Sequence, residues 1–210
     1  MPFAAQDIRA ARLYLQKSDP VLKQIIKRVG PFRCRVNRNR FESLAHSILS
    51  QQISGSAAKT IKSRLAEAAA PDGLTPESVL EFSTEELRNI GISRQKAGYL
   101  KELAEKVTSG QLNLQALARK KDEAVIADLV QVKGIGVWTA QMFLMFSLAR
   151  LDVFPVDDLG IRKAVSQAYR DGGDVDRSRL LELASTWQPY STVASWYLWK
   201  SLETAQNGTN

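Results

Sequence analysis

Apolar residues recur along most of this chain at intervals of three and four, the spacing that gives a helix one buried face. Residues 5–17 and 20–29 show it first, separated at Asp19-Pro20 and closed by Gly30-Pro31. A second group, 41–50, runs through a polar break at Gln51-Gln52-Ile53-Ser54 into an Ala- and Lys-rich segment at 55–69, followed by the turn Pro71-Asp72-Gly73. Thr75-Pro76-Glu77-Ser78 and Ser83-Thr84-Glu85-Glu86 each place a capping oxygen ahead of early acids, which predicts helices over 76–82 and 84–90. Further helices are predicted over 94–108, 122–131, 137–149, 158–171, 177–186 and 190–205. No run alternates with period two for long enough to make a strand, and Arg33-Cys34-Arg35-Val36 is too short to carry a sheet. The expected fold class is all-α with short connections, and the only low-complexity stretch is the closing Gln-Asn-Gly-Thr-Asn.

Composition narrows the chemistry. Cys34 is the single cysteine and His46 the single histidine, so an internal disulfide, a four-cysteine zinc or iron–sulfur site and a His-rich metal cage are excluded. Catalysis must therefore use carboxylates, amides, aromatics or backbone groups. His46, inside Phe-Glu-Ser-Leu-Ala-His-Ser-Ile-Leu-Ser, is expected to pack or cap. No apolar run approaches the length of a membrane span, and the first residues mix acids among apolar positions, unlike a signal peptide. The expectation is a protein of the cytoplasm or nucleus with no membrane partner. A net charge of +7 and a pI near 9.6 point to a polyanionic partner. Lys27, Arg28, Arg33, Arg35, Arg38 and Arg40 crowd one stretch, which reads equally as a phosphate-facing patch or as a solvated basic face.

The most informative segment is 129–140, Leu-Val-Gln-Val-Lys-Gly-Ile-Gly-Val-Trp-Thr-Ala. Gly134 and Gly136 allow a tight turn and a close approach of backbone to another molecule. The amides that follow open a helix, so they are unpaired donors at its positive end, where a phosphate oxygen fits. A weaker echo lies at Leu87–Ala97, also a helix end, a glycine turn and a new helix, but without the second glycine.

Residues 129–165 resemble the helix-hairpin-helix plus Gly/Pro-Asp signature of the DNA glycosylase superfamily. In that superfamily the hairpin grips DNA phosphates, and a catalytic aspartate lies downstream at the start of the next helix. At the corresponding distance from Gly136 stand Val156-Asp157-Asp158. Aligning the apolar positions Ile161 and Val165 places the family's acid at Asp158 and leaves Asp157 to cap the helix. Gly134, Gly136, Val137 and Thr139 become the phosphate-binding hairpin, with a monovalent cation, Na⁺ or K⁺, held by the backbone carbonyls of Val130, Val132 and Ile135. Members with lyase activity carry a Schiff-base lysine two residues after the second glycine; Trp138 stands there, and Lys133 lies across the turn. The resemblance therefore implies a monofunctional enzyme with neither a required cofactor nor an iron–sulfur cluster.

Trp138 also aligns with a base-pocket tryptophan of the AlkA-like, 3-methyladenine DNA glycosylase II branch, where a cationic alkylpurine meets an electron-rich ring. Trp187-Gln188-Pro189-Tyr190 through Trp199 is similar to that branch's closing motif, with Ser191-Thr192 standing where the family has Arg-Ser. It places Trp199 as a second pocket tryptophan and leaves Trp187 and Trp196 to the core. Ile48–Ser54 resembles the family's wedge segment, with Gln52 filling the gap left by a flipped nucleotide and Ser54 touching the groove.

The resemblance covers about residues 40–200, and it implies two helical lobes, 39–154 and 1–38 with 155–210, with the active-site cleft between them and no room for an N-terminal β domain. The implied function is hydrolysis of the N-glycosidic bond of alkylated purines (3-methyladenine and 7-methylguanine type) in duplex DNA, by a monomer, at the start of base excision repair. Specificity for deaminated or oxidised bases, and a DNA-binding relative without catalysis, stay open on the residues alone.

Overall fold

The computed structural model describes residues 3–169 and 175–207, and the described residues hold α-helices, one 3₁₀ turn and no strand. The helices are α1 (Ala5–Ser18), α2 (Pro20–Val29), α3 (Arg40–Ser50), α4 (Gly55–Ala68), α5 (Pro76–Glu81), α6 (Thr84–Ile90), α7 (Arg94–Thr108), α8 (Asp122–Leu129), α9 (Val137–Phe146), α10 (Leu159–Ala168), α11 (Arg177–Ser185) and α12 (Ser191–Asn207). Each predicted helix is present, and the 3₁₀ turn at Ala116–Arg119 is an addition. The ends of α9 and α10 fall before 149 and 171; residues 170 and 171 lie outside the described residues, as do the last three of the low-complexity tail.

The caps are built as the residues suggested. Thr75 and Ser78 bond reciprocally at the start of α5, as do Ser83 and Glu86 at α6. Each box satisfies amides that the first helical turn leaves without partners.

The chain forms two compact units, a middle unit of Asn37–Phe143 and a terminal unit of Met1–Val36 with Leu144–Asn210. The later boundary falls at 143/144 and not at 154/155 as expected from sequence. Residues 150–153 are held inside the terminal unit by polar bonds. Thr192 Oγ1 donates to the Arg150 carbonyl (2.7 Å) and accepts from the Val153 N–H (3.0 Å), and Ser191 donates to the Asp152 carboxylate. Ser191 and Thr192, the departure from the family pattern, thus form a latch on the segment that leads to Asp158.

In the middle unit α7 packs against α3, α5 and α6, burying Leu44, Ile48, Leu49, Leu87, Leu100 and Leu103. Arg40 donates to the carbonyls of Leu114 and Gln115, so this member of the basic cluster is committed inside the unit. In the terminal unit α12 packs against α1, α2 and α10. Its core includes Leu15, Leu22, Ile26, Ile161, Val165 and Tyr197, with Trp187 and Trp196 buried among them as expected. Asp19 is buried there and accepts four hydrogen bonds. Val21 and Leu22 amides reach Oδ1 at 2.8 and 2.9 Å, and the Trp187 indole and Tyr169 hydroxyl reach Oδ2 at 2.8 and 2.5 Å. Burial, and then the Asp19 carboxylate as acceptor, push the Tyr169 hydroxyl's pKa well up, so it remains a donor.

Asp19→Ala would strand two helix amides and a buried indole N–H, so a loss of roughly 3 kcal/mol is expected in urea unfolding. Asp19→Asn keeps the cap but turns its amide toward the Trp187 donor, and should lose less. An unchanged midpoint for Asp19→Ala would show that this core does not depend on the carboxylate.

Candidate active site and nucleic-acid interface

Each unit carries one group of residues suited to chemistry or binding. In the terminal unit Asp158 is the N-cap of α10, and its Oδ1 accepts from the Ile161 N–H at 2.8 Å and the Trp199 indole N–H at 2.9 Å. Donors from two helices fix the carboxylate's orientation. Trp199 is half-buried, with its ring 6.0 Å from that of Phe146. Gly160 lets the two groups sit close without shifting, because a Cβ there would stand 3.0 Å from both Asp158 Oδ1 and Trp199 Nε1. Asp157, by contrast, is exposed and ion-paired with Arg177 at 3.3 Å. The expected division between the two acids is corrected: α10 begins at Leu159, one residue later than assumed, so capping falls to Asp158.

In the middle unit α8, a turn over 130–136 and α9 form the hairpin. Gly134 has φ +83°, and a Cβ there would lie 2.2 Å from the Tyr99 ring, so the fold itself demands glycine. Gly136 differs. Its carbonyl accepts from Ala140 at the start of α9, and nothing lies within 4 Å of where a Cβ would stand. Its own neighbours do not require glycine, whereas a ligand approaching the backbone closely would. Val137 and Trp138 are exposed at 53% and 45%. Thr139 is only 4% exposed, its side chain turned inward as the third residue of α9. Val132 and Ile135 are buried, and the Val132 carbonyl accepts from the Ile135 N–H.

The sequence echo at 87–97 is a real second helix–turn–helix: Gly91 ends α6 in the left-handed region and Ser93 caps α7. Between α3 and α4, Gln52 is exposed and has φ +55°, a conformation side chains rarely adopt. Ser54 caps α4 by accepting from the Ala57 N–H. His46, Ser50, Gln52, Lys62 and Trp138 share a hollow of about 550 Å³. His46 therefore lines a surface feature as well as packing, and burial and then Lys62 lower its pKa, which favours the uncharged ring.

The sequence assigned no role to Lys96 or Gly160 and marked Ser191 and Thr192 only as a departure from the family pattern. Only Gly160 carried a usable signal, since a glycine in the first turn of a helix weakens it unless packing requires one. Among the described residues no group of three or more His, Cys, Asp or Glu could hold a metal ion, and no helix is long and apolar enough to cross a membrane.

Residues 45–189 match the family described as HhH-GPD superfamily base excision DNA repair protein. DNA-3-methyladenine glycosylase 1 of Schizosaccharomyces pombe is 35% identical over 201 residues, which cover 93% of this chain and 88% of that protein. A structure of the S. pombe 3-methyladenine DNA glycosylase (Mag1) in complex with abasic DNA matches with a TM-score of 0.82 at 34% identity, over 92% of this chain and 97% of that one. A DNA-3-methyladenine glycosidase structure from Bacillus halodurans matches with a TM-score of 0.81 at 37% identity, over 92% and 89%.

The two hairpin glycines should separate folding from binding. Gly134→Ala is expected to destabilise by about 2 kcal/mol or more through the Tyr99 clash and the left-handed backbone. Gly136→Ala should melt like the wild type yet bind duplex DNA roughly tenfold more weakly, by blocking close backbone approach. Thermal melts and fluorescence anisotropy read the two effects, and equal behaviour of the two variants would contradict the assignment.

Proposed function

Because the chain belongs to the HhH-GPD superfamily of base excision DNA repair proteins, we propose that it is a monofunctional DNA glycosylase that hydrolyses the N-glycosidic bond of alkylated purines, such as 3-methyladenine and 7-methylguanine, in duplex DNA. The observation that carries this reading is Asp158 at the head of α10, a carboxylate that accepts from the Ile161 N–H and the Trp199 indole at the position the resemblance assigns to the family's acid.

Breaking a purine's bond to deoxyribose builds positive charge on the sugar, and a fixed anion stabilises that transition state more than the ground state. Asp158 supplies the anion and accepts a proton from the attacking water, whose oxygen bonds to the sugar's anomeric carbon. The base departs with the bonding electron pair, and the proton passes to solvent. An alkylated purine is already cationic, so it leaves neutral without further protonation. Trp199 is the residue that orients Asp158 and a candidate wall for the base, and Gly160 leaves room for both.

The middle unit holds the duplex. Gly134, Gly136 and Val137 present the hairpin backbone to a phosphate, Gln52 wedges the stack, Ser54 faces the groove, and Trp138 stacks on the electron-poor base. The turn's oxygen donors are neutral carbonyls, with no carboxylate in 130–135, which suits a monovalent ion better than a divalent one. The Val132 carbonyl retains a second lone pair beside its bond from Ile135. Val130, Val132 and Ile135 would hold Na⁺ or K⁺ and so offset phosphate charge.

Hydrolysis without strand cleavage follows from Trp138 at the Schiff-base position, since an indole nitrogen is no nucleophile. Lys133 lies across the turn, with its ammonium 3.7 Å from the Glu102 carboxylate. The single cysteine leaves no means of holding an iron–sulfur cluster. One monomer per lesion suffices, acting in the cytoplasm of a bacterium or the nucleus of a eukaryote.

Asparagine caps helices as well as aspartate does, so Asp158→Asn isolates the chemistry from folding. Wild type should release methylpurines from dimethyl sulfate-treated duplex DNA, and Asp158→Asn should slow release by at least about a hundredfold with an unchanged melting temperature. Asp157→Asn should remain active. Methylpurine release by neither wild type nor variant, with release of a deaminated or oxidised base instead, would overturn the substrate assignment.

A further inference from the structure

Gln52 is the strained point of the middle unit, and its neighbours explain how the strain is held. The Lys96 ammonium, in the first turn of α7, donates to the Leu49 carbonyl at 2.9 Å and to the Gln51 carbonyl at 2.6 Å. These oxygens flank the end of α3, where the helix leaves its carbonyls without partners. The Gln51 side-chain amide meanwhile donates to the Gly134 carbonyl at 2.7 Å, across to the hairpin turn. Residue 51 is therefore tied through its backbone to one helix–turn–helix and through its side chain to the other. The peptide that enters Gln52 has little freedom left, and Gln52 sits at φ +55° with its side chain exposed.

We propose that Lys96 and Gln51 are positioning residues that preset the wedge loop. They hold Gln52 in its left-handed conformation before DNA arrives, so that its ordering cost is met during folding and not during binding. The inference rests on the reading of Gln52 as the wedge. Burial lowers the pKa of Lys96, in keeping with an ammonium turned into the protein. A surface lysine serving a phosphate would have no reason to point at two carbonyls of its own chain. A simple helix cap would explain the bond to Leu49, but not the bond to Gln51 together with the Gln51–Gly134 bond.

The two roles differ in what they do to DNA binding. Substituting a lysine that touches phosphate weakens binding to all duplexes alike. Removing a brace weakens only the complex in which the wedge is inserted. The experiment measures, by anisotropy with full-length protein, affinities for an undamaged duplex and for one containing a tetrahydrofuran abasic-site analogue. Variants are Lys96→Met, Lys96→Arg, Gln51→Leu and Gln52→Ala, with Lys96→Met and Gln51→Leu each also combined with Gln52→Ala.

Lys96→Met and Gln51→Leu are expected to weaken binding to the abasic duplex roughly tenfold, with undamaged binding unchanged within about twofold. Lys96→Arg, which keeps donors for both carbonyls, should restore most of the loss. On the Gln52→Ala background neither brace substitution should add to the defect, because there is no wedge left to position. If Lys96→Met does not fold, Gln51→Leu decides the question alone. Equal weakening on both duplexes, or additive losses with Gln52→Ala, would overturn the brace. Failure of the underlying reading looks different. In that case Gln52→Ala itself leaves abasic-duplex affinity unchanged, and the brace falls with it.

Discussion

The terminal unit is organised around one buried carboxylate. Asp19 caps α2 with one oxygen and with the other receives donors from residues 150 and 168 positions later in the chain. A carboxylate away from water is tolerated only when its lone pairs are filled, and here four donors fill them. That requirement sets the N-terminal helices against the C-terminal ones. It therefore also fixes the frame in which α10 and α12 present Asp158 and Trp199 to each other. The carboxylate proposed for chemistry inherits its position from a second carboxylate that does none.

The two acids also show how one residue type serves two purposes. Asp19 is sealed by its donors. Asp158 has the same capping geometry and also receives an indole N–H, but it stays partly accessible. Capping fixes the carboxylate's rotamer, and its burial is only partial. The middle unit follows a parallel logic with glycines: Gly134 is required by its own neighbours and Gly136 is not.

Most of the helical framework was legible in the chain, because periodicity, caps and glycine turns are local and the caps form as their residue types suggest. The glycine turn between α8 and α9 and an acid at the start of α10 were legible through motif and spacing. Hidden from the sequence were bonds between residues far apart along the chain: Lys96 to Leu49 and Gln51, Trp199 to Asp158, and Tyr169 and Trp187 to Asp19. Hydrophobic pattern says which face of a helix is buried, but not which polar tip meets which acceptor once the helices pack. The exchange of roles between Asp157 and Asp158 has the same origin. Periodicity does not resolve a one-residue shift in where α10 begins, yet that shift decides which acid caps.

The positive φ of Gln52 has a consequence for anyone seeking a sturdier form of this protein. A left-handed backbone at a side-chain-bearing residue is a reserve of unspent stability, and glycine would release it at once. Selection for heat resistance alone would thus be drawn to position 52. Its gain there would come from trading away the side chain proposed as the wedge, so on that reading the hardiest variants would also be the ones least able to find damage.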